Sequence, residues 1–383
     1  MITVTDSVKY LGVNDKNIDL FEGQYVVPNG VSYNSYAIID EKIVIFDTVD
    51  KRKTEEWLDN VEIALAGRVP DYLVISHMEP DHSASIKAFL AKYPSVVVVG
   101  NDKTFNIAER FFGNIFPNRH VVKDGDELAV GKHTLKFVFA PMVHWPEVMF
   151  TYEKSEKILF SADAFGKFGA LDTEEDWTCE ARRYYINIVG KYGATVQSAL
   201  KKVAQLDVEI ICPLHGPVLS ENLGYYIGKY NVWSSYIPED KGVTVAYSSI
   251  YGNTADAAKK LAYLLNKKGE RVEIFDLARD DLAEAVESAF RYDRLVLASV
   301  TYDGGLFPAT ELFINRLKSK QFQNRKVAFI ENGSWAPMSA KLMRAQFETM
   351  KNIEFIEHTV TVPSSLTADA EQSIVGLCNE LTK

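Results

Sequence analysis

The strongest constraint on the fold of this chain is the stretch His77-Met78-Glu79-Pro80-Asp81-His82, which directly follows an apolar run at 72–76. Four of its side chains can bind a metal, and the preceding run is typical of a short buried strand. His77 and Glu79 are two residues apart and point the same way in an extended segment, whereas Asp81 and His82 are adjacent and diverge. The stretch therefore suits two neighbouring metal ions better than one, at a point where a strand opens into a loop.

Three further side chains of the same kind occur at distant positions. His144, Asp163 and His215 each come at the end of an apolar, strand-like run. Residues at strand ends converge on one edge of the sheets in layered α/β folds, which is where sites are built. A single histidine beside a strand is usually structural and an acidic loop is often only solvated, but these three positions argue against that alternative. Four histidines, two aspartates and one glutamate fit a dinuclear centre in which one carboxylate bridges the metals.

The order H-x-[HE]-x-D-H, followed by His, Asp and His, resembles the ligand pattern of the metallo-β-lactamase fold. Glu79, together with Asp-Ala-Phe-Gly at 163–166, resembles the flavodiiron proteins, since hydrolases of that superfamily usually carry histidine at the second position. A carboxylate there favours iron over zinc, which prefers nitrogen ligands. The resemblance implies two iron ions, with one held by His77, Glu79 and His144, the other by Asp81, His82 and His215, and Asp163 as the bridge.

The rest of the first half predicts an αββα sandwich. A hairpin at 33–47 and three successive strands at 135–161 alternate with segments of helical spacing. Asp47 closes one predicted strand and suits a turn or capping role rather than metal binding. The segment 173–202 has a helical pattern whose large side chains, Tyr184 among them, are interpreted as packing. Tyr192 is the exception, because Tyr-Gly at 192–193 resembles a position near the diiron centre, where a phenol could hydrogen-bond a bound oxygen species.

A second module follows a polar linker at 236–242, so we expect domains at 1–238 and 242–383. A strand at 243–247, a hydroxyl-rich turn at 248–254 and a helix at 255–267 together make a phosphate site, because helix N-terminal amides and the helix dipole favour an anion. The segment contains neither the lysine of a Walker motif nor a GxGxxG motif, which argues against binding of a nucleoside triphosphate or a dinucleotide. Mere helix capping by the Ser/Thr-rich turn is the simpler alternative.

The turn at 248–254 resembles the FMN phosphate loop of flavodoxins. Two later loops, at 300–305 and 331–337, stand where flavodoxin-like domains place the loops that bind the isoalloxazine ring, at the carboxyl edge of a doubly wound parallel sheet. Asp303 replaces the asparagine of many relatives and would make anionic reduced flavin harder to reach. The resemblance implies that FMN is bound by Ser248, Ser249, Ile250, Tyr251, Gly252, Asn253, Thr254, Thr301, Tyr302, Asp303, Gly304, Ser334 and Trp335.

The composition of the chain argues against several classes of protein. A net charge of −10, from 52 acidic and 42 basic residues, argues against nucleic-acid binding. The N-terminus has no signal-peptide pattern and no apolar run approaches membrane-spanning length, so we expect a cytoplasmic protein that does not enter a membrane. The three cysteines form no CxxC pair, which argues against disulfides, an iron–sulfur cluster and a built-in rubredoxin module.

The resemblance to flavodiiron proteins implies a multi-electron oxidoreductase. It would reduce O2 to water, NO to N2O, or both, with electrons passed from an external carrier such as rubredoxin through FMN to the irons. A head-to-tail homodimer, which the family uses to place each FMN beside the partner's irons, is also implied. One alternative is a zinc hydrolase tethered to a flavodoxin-like module, against which Glu79 argues; another is an electron carrier with a vestigial metal site, against which the complete ligand set argues.

Overall fold

The computed structural model describes residues 3–383 and divides the chain into two compact units. The first unit comprises the chain up to Tyr185 together with Tyr192–Asn231, and the second comprises Ile186–Lys191 together with Val232–Lys383. Each contains its own buried core. The expected domain bounds, 1–238 and 242–383, stay a prediction.

The first unit contains two sheets of five and six strands. The six-stranded sheet has the order β1-β6-β7-β8-β9-β10, and two short antiparallel pairs, β2 with β5 and β3 with β4, accompany it. The six-stranded sheet consists of β1 (Val8–Tyr10), β6 (Tyr36–Ile39), β7 (Ile43–Phe46), β8 (Tyr72–Val74), β9 (Val97–Gly100) and β10 (Arg119–Val121). The two short pairs consist of β2 (Val13–Asp15) with β5 (Val31–Tyr33) and β3 (Leu20–Phe21) with β4 (Tyr25–Val26). The five-stranded sheet has the sequential order of β11 (Glu127–Ala129), β12 (Thr134–Phe139), β13 (Met149–Glu153), β14 (Ile158–Phe160) and β15 (Ile210–Cys212).

The two sheets share one apolar core. Strand β7 is buried along its whole length, as expected for a continuous run of β-branched and aromatic residues inside a sandwich. Its Phe46 stacks on Phe160 of β14 with the ring centroids 3.9 Å apart, and Tyr36 meets the same ring edge-on at 5.5 Å. These contacts join residues more than a hundred positions apart in the chain. They confirm the predicted sandwich of two sheets with covering helices.

Among the residues that the structure describes, seven α-helices belong to or begin in the first unit: α1 (Thr54–Leu65), α2 (Pro80–Ser83), α3 (Ile86–Lys92), α4 (Asp102–Phe112), α5 (Trp177–Tyr184), α6 (Gly193–Val203) and α7 (Leu223–Ser234). Two expectations need correction. Asp81 and His82 lie in the short helix α2 rather than in a loop, because Pro80 occupies the first helical turn, where its missing N–H costs nothing. The helical pattern at 173–202 is interrupted by a π-helical turn at Tyr185–Val189 and a 3₁₀ turn at Gly190–Tyr192.

The second unit is built on a parallel sheet with the order β17-β16-β18-β20-β21, which is the doubly wound order of flavodoxins. Strand β22 pairs with β20, and β19 pairs antiparallel with β18. The predicted doubly wound sheet is therefore confirmed, although its first strand begins at Asp240, inside the predicted linker. The strands are β16 (Asp240–Tyr247), β17 (Val272–Asp276), β18 (Tyr292–Tyr302), β19 (Gly305–Leu306), β20 (Arg325–Asn332), β21 (Ile353–Phe355) and β22 (Val360–Val362).

Five helices accompany this sheet: α8 (Asn253–Lys267), α9 (Leu282–Arg291), α10 (Pro308–Ser319), α11 (Ser339–Phe347) and α12 (Ala368–Leu381). Helix α8 buries Ala257, Ala258 and Leu261 in the cluster that also contains Val245 and Val296 of the two central strands. This apolar stripe at helical spacing holds the helix on the sheet. The N-terminus of α8 is therefore fixed where β16 ends. Among residues 3–383, no helix has both the length and the apolar character needed to cross a lipid bilayer.

A buried histidine outside the metal pattern joins three segments of the first unit. The Asp40 carboxylate accepts from the Lys132 amide at 2.7 Å and faces Nδ1 of His133 at 2.6 Å, while Nε2 of His133 lies 3.4 Å from Glu156. Burial opposes both charges, but these partners hold the pKa of Asp40 at about 2 and raise the pKa of His133. The group is an ion-paired structural histidine that links the end of β6 to the turns flanking β12 and β13.

We expect His133→Gln to destabilise the protein in a pH-dependent way. A raised pKa means that the folded state binds the proton more tightly, so the stabilisation is complete below the unfolded-state pKa of about 6.5 and is lost as pH rises through the folded-state value. Urea unfolding of both proteins should give a difference in unfolding free energy that is larger at acidic than at alkaline pH. His120→Gln, on the exposed strand β10, controls for the loss of a histidine. A difference that does not vary with pH would contradict the ion pair.

Candidate metal centre

The seven predicted ligands come from segments that follow four strands of the sandwich. The stretch with His77 and Glu79 follows β8 of the six-stranded sheet. His144, Asp163 and His215 follow β12, β14 and β15 of the five-stranded sheet. Strands β12 and β14 both run antiparallel to β13, and β15 runs parallel to β14, so the carboxyl ends of all three meet at one edge. The topology thus gathers side chains from positions 77 to 215 in one place.

His77, Glu79, His144 and Asp163 form the first group of potential ligands, with one atom of each lying within 4.8 Å of the others. Nε2 of His144 is 3.0 Å from Oε2 of Glu79 and 3.0 Å from Oδ2 of Asp163. Nε2 of His77 is 3.2 Å from the same Glu79 oxygen. The nitrogen and oxygen atoms therefore converge on one point.

Asp81, His82 and His215 form the second group. The two Nε2 atoms of His82 and His215 face each other at 2.9 Å, and Oδ2 of Asp81 is 3.3 Å from both. The two groups adjoin at Asp163, whose Oδ1 is 3.3 Å from His82 while its Oδ2 faces the first group. One carboxylate thus offers an oxygen to each group, which is the arrangement that a bridging ligand requires.

The chemistry of these side chains fits two metal ions. Both carboxylate oxygens of Asp81 and Oδ1 of Asp163 are buried and accept no hydrogen bond within residues 3–383. Buried anionic oxygens without donors are costly, and a bound cation supplies the missing partner. The mixture of imidazole nitrogens and carboxylate oxygens suits iron, whereas thiolate ligands, which are absent from both groups, would select softer metals.

The side chains of the site stabilise one another's charged forms. Burial opposes ionisation of Asp163, but His77, His144 and His82 hold its pKa well below the usual range. Burial likewise opposes protonation of His144, yet Asp163 and Glu79 raise its pKa to about 9. Metal ligands must be deprotonated, so metal binding at this site releases protons and weakens as the pH falls.

A second layer of residues orients the ligands. Oε1 of the fully buried Glu147 lies 2.9 Å from Nδ1 of His77 and accepts from the Met78 amide at 2.8 Å. The Ser32 carbonyl oxygen lies 2.7 Å from Nδ1 of His215. Such partners fix the ring orientation and leave Nε2 free for the metal. Glu147 is not predicted from the sequence, although an acidic residue three positions after His144 was the available signal.

Asp47 also belongs to this second layer. Its Oδ1 accepts from the amides of Ser76 and His77 at 2.7 and 3.2 Å, so it holds the turn that carries His77. Burial raises the pKa of Asp47 to about 6. It lies in neither group of potential ligands, which agrees with the turn or capping role expected for it.

Aromatic rings cover the ligands. Trp145 meets His77 edge-on with ring centroids 5.3 Å apart, Phe21 meets His215 at 5.5 Å, and Tyr33 lies 6.5 Å from His82. Arg52 donates to the hydroxyl of Tyr33 at 2.9 Å, which fixes that ring. The rings lower the local dielectric and strengthen electrostatic interactions within the centre.

Two tyrosines of the 173–202 segment differ in their surroundings. Tyr192, the predicted catalytic residue, is half-buried at the start of α6, where Thr195 donates to its carbonyl oxygen and contacts that of Met142. Tyr184, interpreted from the sequence as packing, is 1% exposed and lies with its ring centroid 5.4 Å from that of His215. Sequence spacing did not distinguish the two, because a helical pattern does not tell which neighbour a buried ring meets.

The predicted FMN loops all lie at the carboxyl ends of central strands in the second unit. Residues 248–252 connect β16 to α8, and Gly252 has a left-handed conformation, with φ of 97°, that suits glycine. Residues 301–304 end β18 and turn into β19 through positive φ angles at Asp303 and Gly304. The side chains of Tyr251 and Trp335 are each 92% exposed. Strands β16 and β18 flank the switch point of the sheet, which is where ligands bind in such folds.

Two of the predicted flavin residues, Thr301 and Ser334, also make structural contacts. The Thr301 hydroxyl accepts from the amides of Met338 and Ser339 at 2.8 and 3.1 Å, which ties the loop after β18 to the start of α11. Ser364 donates to the Ser334 hydroxyl at 2.9 Å. These contacts brace two of the three loops against their neighbours.

Comparisons with known proteins agree with this architecture. Residues 31–216 match the family described as ODP family beta lactamase, and residues 244–358 match the flavodoxin domain. An uncharacterised protein of Methanocaldococcus jannaschii is 32% identical over 320 residues, which is 82% of this chain and 81% of that protein. The anaerobic nitric oxide reductase flavorubredoxin of Aliivibrio fischeri is 30% identical over 366 residues, which is 91% of this chain and 74% of the relative.

Solved structures show the same fold. The rubredoxin oxygen:oxidoreductase of Desulfovibrio gigas superimposes with a TM-score of 0.92 at 24% identity, over 100% of this chain and 98% of that one. The flavodiiron protein of Giardia intestinalis superimposes with a TM-score of 0.86 at 23% identity, over 99% of this chain and 97% of that one. Both units are therefore matched within a single chain of known structure.

Proposed function

Because this chain belongs to the flavodiiron protein family, whose members are oxidoreductases that carry a diiron centre and FMN, we propose that it reduces O2 to water, NO to N2O, or both. The observation that carries the proposal is the position of Asp163, which offers one carboxylate oxygen to each of two adjoining ligand groups. When bound, two iron ions and FMN supply the electrons that either reduction needs. The two substrates are proposed because the A. fischeri relative is named a nitric oxide reductase and the D. gigas protein an oxygen oxidoreductase.

The ligands divide between the metals as follows in this proposal. His77, Glu79 and His144 hold one iron, Asp81, His82 and His215 hold the other, and Asp163 bridges them. Glu147 holds the proton on Nδ1 of His77, so that Nε2 is available as a ligand. Glu79 lies within 3.2 Å of both histidines of its group, so a carboxylate takes part in that half of the site, which disfavours the zinc-hydrolase alternative.

FMN binding is proposed at the three loops of the second unit. Ser248, Ser249, Thr254 and the amides at the start of α8 would hold the phosphate. Tyr302 and Trp335 would flank the ring, with Ile250, Tyr251, Gly252, Asn253, Thr301, Asp303, Gly304 and Ser334 completing the three loops. The side chains of Trp335 and Tyr251 are exposed, which supports binding of a flat ligand or of a partner protein at this surface.

The remaining parts of the proposal rest on the family. Electrons come from a separate carrier such as rubredoxin, and a head-to-tail homodimer places each FMN beside the partner's irons. Tyr192 is a candidate donor of a hydrogen bond at the centre. The domains are 1–238 and 242–383, and the protein acts in the cytoplasm.

The test measures iron, zinc and FMN per chain, then gas consumption by the purified protein with chemically reduced rubredoxin as donor. We expect two irons and one FMN per chain, with O2 consumed without release of hydrogen peroxide or NO converted to N2O. Zinc retained after expression with iron supplied, together with no turnover of either gas, would contradict the proposed function. Comparing the two rates then assigns the preferred substrate.

A further inference from the structure

The hairpin of β3 and β4 packs against the loops that carry the metal ligands. Its Phe21 is 4% exposed and meets the ring of His215 edge-on, with the two ring centroids 5.5 Å apart. Phe21 also meets Phe168 at 5.4 Å, and Tyr25 on the second strand of the hairpin lies 6.1 Å from the same ring. These aromatic contacts hold the turn of the hairpin, residues 22–24, beside the metal centre.

Glu22 occupies this turn. The backbone passes through positive φ angles at Glu22 (49°) and Gly23 (66°), and the amide of Gln24 donates to the Phe21 carbonyl oxygen at 3.0 Å. Glycine and asparagine are the usual residues in this left-handed region, so the turn itself does not call for a glutamate. Phe21 is buried, but the next residue, Glu22, is exposed. Glu22 therefore adjoins both the solvent and the residues that cover the centre.

The charges that act on Glu22 are those of metal ligands. Partial desolvation, followed by the charges of Glu79 and Asp81, raises the pKa of Glu22 to about 7. His144 and a hydrogen bond of 3.1 Å from the Gln24 amide oppose this change. Within residues 3–383, no lysine or arginine forms an ion pair with Glu22. A cation that approached these three carboxylates would stabilise all of them, because like charges raise one another's pKa and an opposite charge lowers it.

Asp81 gives an independent reason to expect a cation here. Both of its carboxylate oxygens are buried and accept no hydrogen bond within residues 3–383. Glu22 differs, since it belongs to neither group of potential ligands and is exposed. A cation that enters a buried site must give up its hydration shell, which is costly. A carboxylate on the solvent side can replace part of that shell before the buried ligands do, because hard cations prefer oxygen ligands.

We propose that Glu22 is the entry residue of the metal centre, whose carboxylate binds each incoming divalent cation transiently before the cation reaches the buried ligands. The inference rests on the metal centre of the proposed function and adds a residue that does not hold the metal in its final position. A transient site lowers the barrier for entry and for exit equally. Glu22 should therefore accelerate uptake and release by the same factor and leave the equilibrium affinity unchanged.

The test mixes Co2+ with the full-length, FMN-loaded, metal-free protein in a stopped-flow instrument and follows the visible absorption of bound Co2+. At about pH 8, above the pKa of Glu22, the carboxylate is ionised. Glu22→Gln should slow uptake about three- to tenfold, the effect of one local charge on the association rate. Release into excess chelator should slow by the same factor, with the number of bound ions and the dissociation constant unchanged.

Two further variants serve as controls. Glu22→Asp keeps a carboxylate in the turn and should restore most of the wild-type uptake rate. Glu55→Gln removes the same charge from an exposed position on α1 and should change the rate less than about twofold, because solvent and salt screen distant charges. An equal slowing by Glu55→Gln and Glu22→Gln would assign the effect to net charge and overturn the inference.

The other outcomes separate this inference from the proposed function. Equal uptake rates for the wild type and Glu22→Gln would overturn the inference and leave the proposed function intact. A weaker equilibrium affinity with an unchanged release rate would also overturn it, because Glu22 would then stabilise the bound metal rather than its entry. A wild-type protein that binds neither Co2+ nor iron would overturn the metal centre, and the proposed function with it.

Discussion

Replacing His144 by alanine is expected to abolish reduction of O2 and NO while leaving FMN bound. The Nε2 atom of His144 lies 3.0 Å from both Glu79 and Asp163, so the substitution removes a nitrogen from the centre of the first ligand group. Loss of a supporting residue in a metal site typically costs 10- to 100-fold, and loss of a ligand should cost about 100-fold or more in turnover. The FMN loops belong to the second unit and share no residue with this site.

The measurement combines turnover of each gas with FMN absorbance and iron content of the purified variant. His120→Ala, on the exposed strand β10, is the matched control and should keep both activities. Full turnover by His144→Ala would remove the centre from the reaction. Loss of FMN together with iron would instead indicate a folding defect, which circular dichroism would detect.

Replacing Glu147 by alanine is expected to weaken iron binding about 10- to 100-fold. The carboxylate is fully buried, lies 2.9 Å from Nδ1 of His77 and accepts from the Met78 amide. Its removal leaves that amide and the imidazole N–H unpaired, at about 1–3 kcal/mol for each unsatisfied buried group. His77 is then free to rotate or to change tautomer, and its Nε2 is no longer held toward Glu79 and Asp163.

The Glu147→Gln variant tests whether Glu147 supports iron binding by orienting His77 or through its negative charge. The glutamine side chain keeps an acceptor oxygen for the His77 N–H, so this variant should retain more iron than the alanine variant. Iron content after dialysis against increasing chelator concentration measures the difference. If all three proteins released iron at the same chelator concentration, Glu147 would have no part in positioning His77.

The predictable part of the site consists of residues at strand ends. His77, Glu79, Asp81 and His82 were identifiable because a short apolar run directly precedes them, and His144, Asp163 and His215 because each ends a similar run. The succession of a strand and a loop can be recognised from neighbouring residues alone, and the residue types show which side chains can bind a metal. The element types followed from the same local patterns and the two folds from the resemblance of these motifs to the flavodiiron proteins, while boundaries at α2 and β16 were displaced by a few residues.

The unpredicted part consists of residues whose role depends on distant neighbours. Glu147 matters because of His77, seventy positions earlier. His133 pairs with Asp40, ninety-three positions away. The local spacing around these residues does not show which distant residue each one contacts, since a contact of this range depends on how the strands are ordered.

The sequence by itself therefore determined the chemistry available to this protein: a complete set of seven hard ligands, a hydroxyl-rich turn before a helix, and two differently patterned halves. Only the tertiary structure decided how that chemistry is arranged. It brought the carboxyl ends of β12, β14 and β15 to one edge, turned Asp163 toward both ligand groups and placed Glu147 beside His77. The physical reason is that ligand identity is a property of single side chains, whereas convergence and burial depend on long-range strand order and packing.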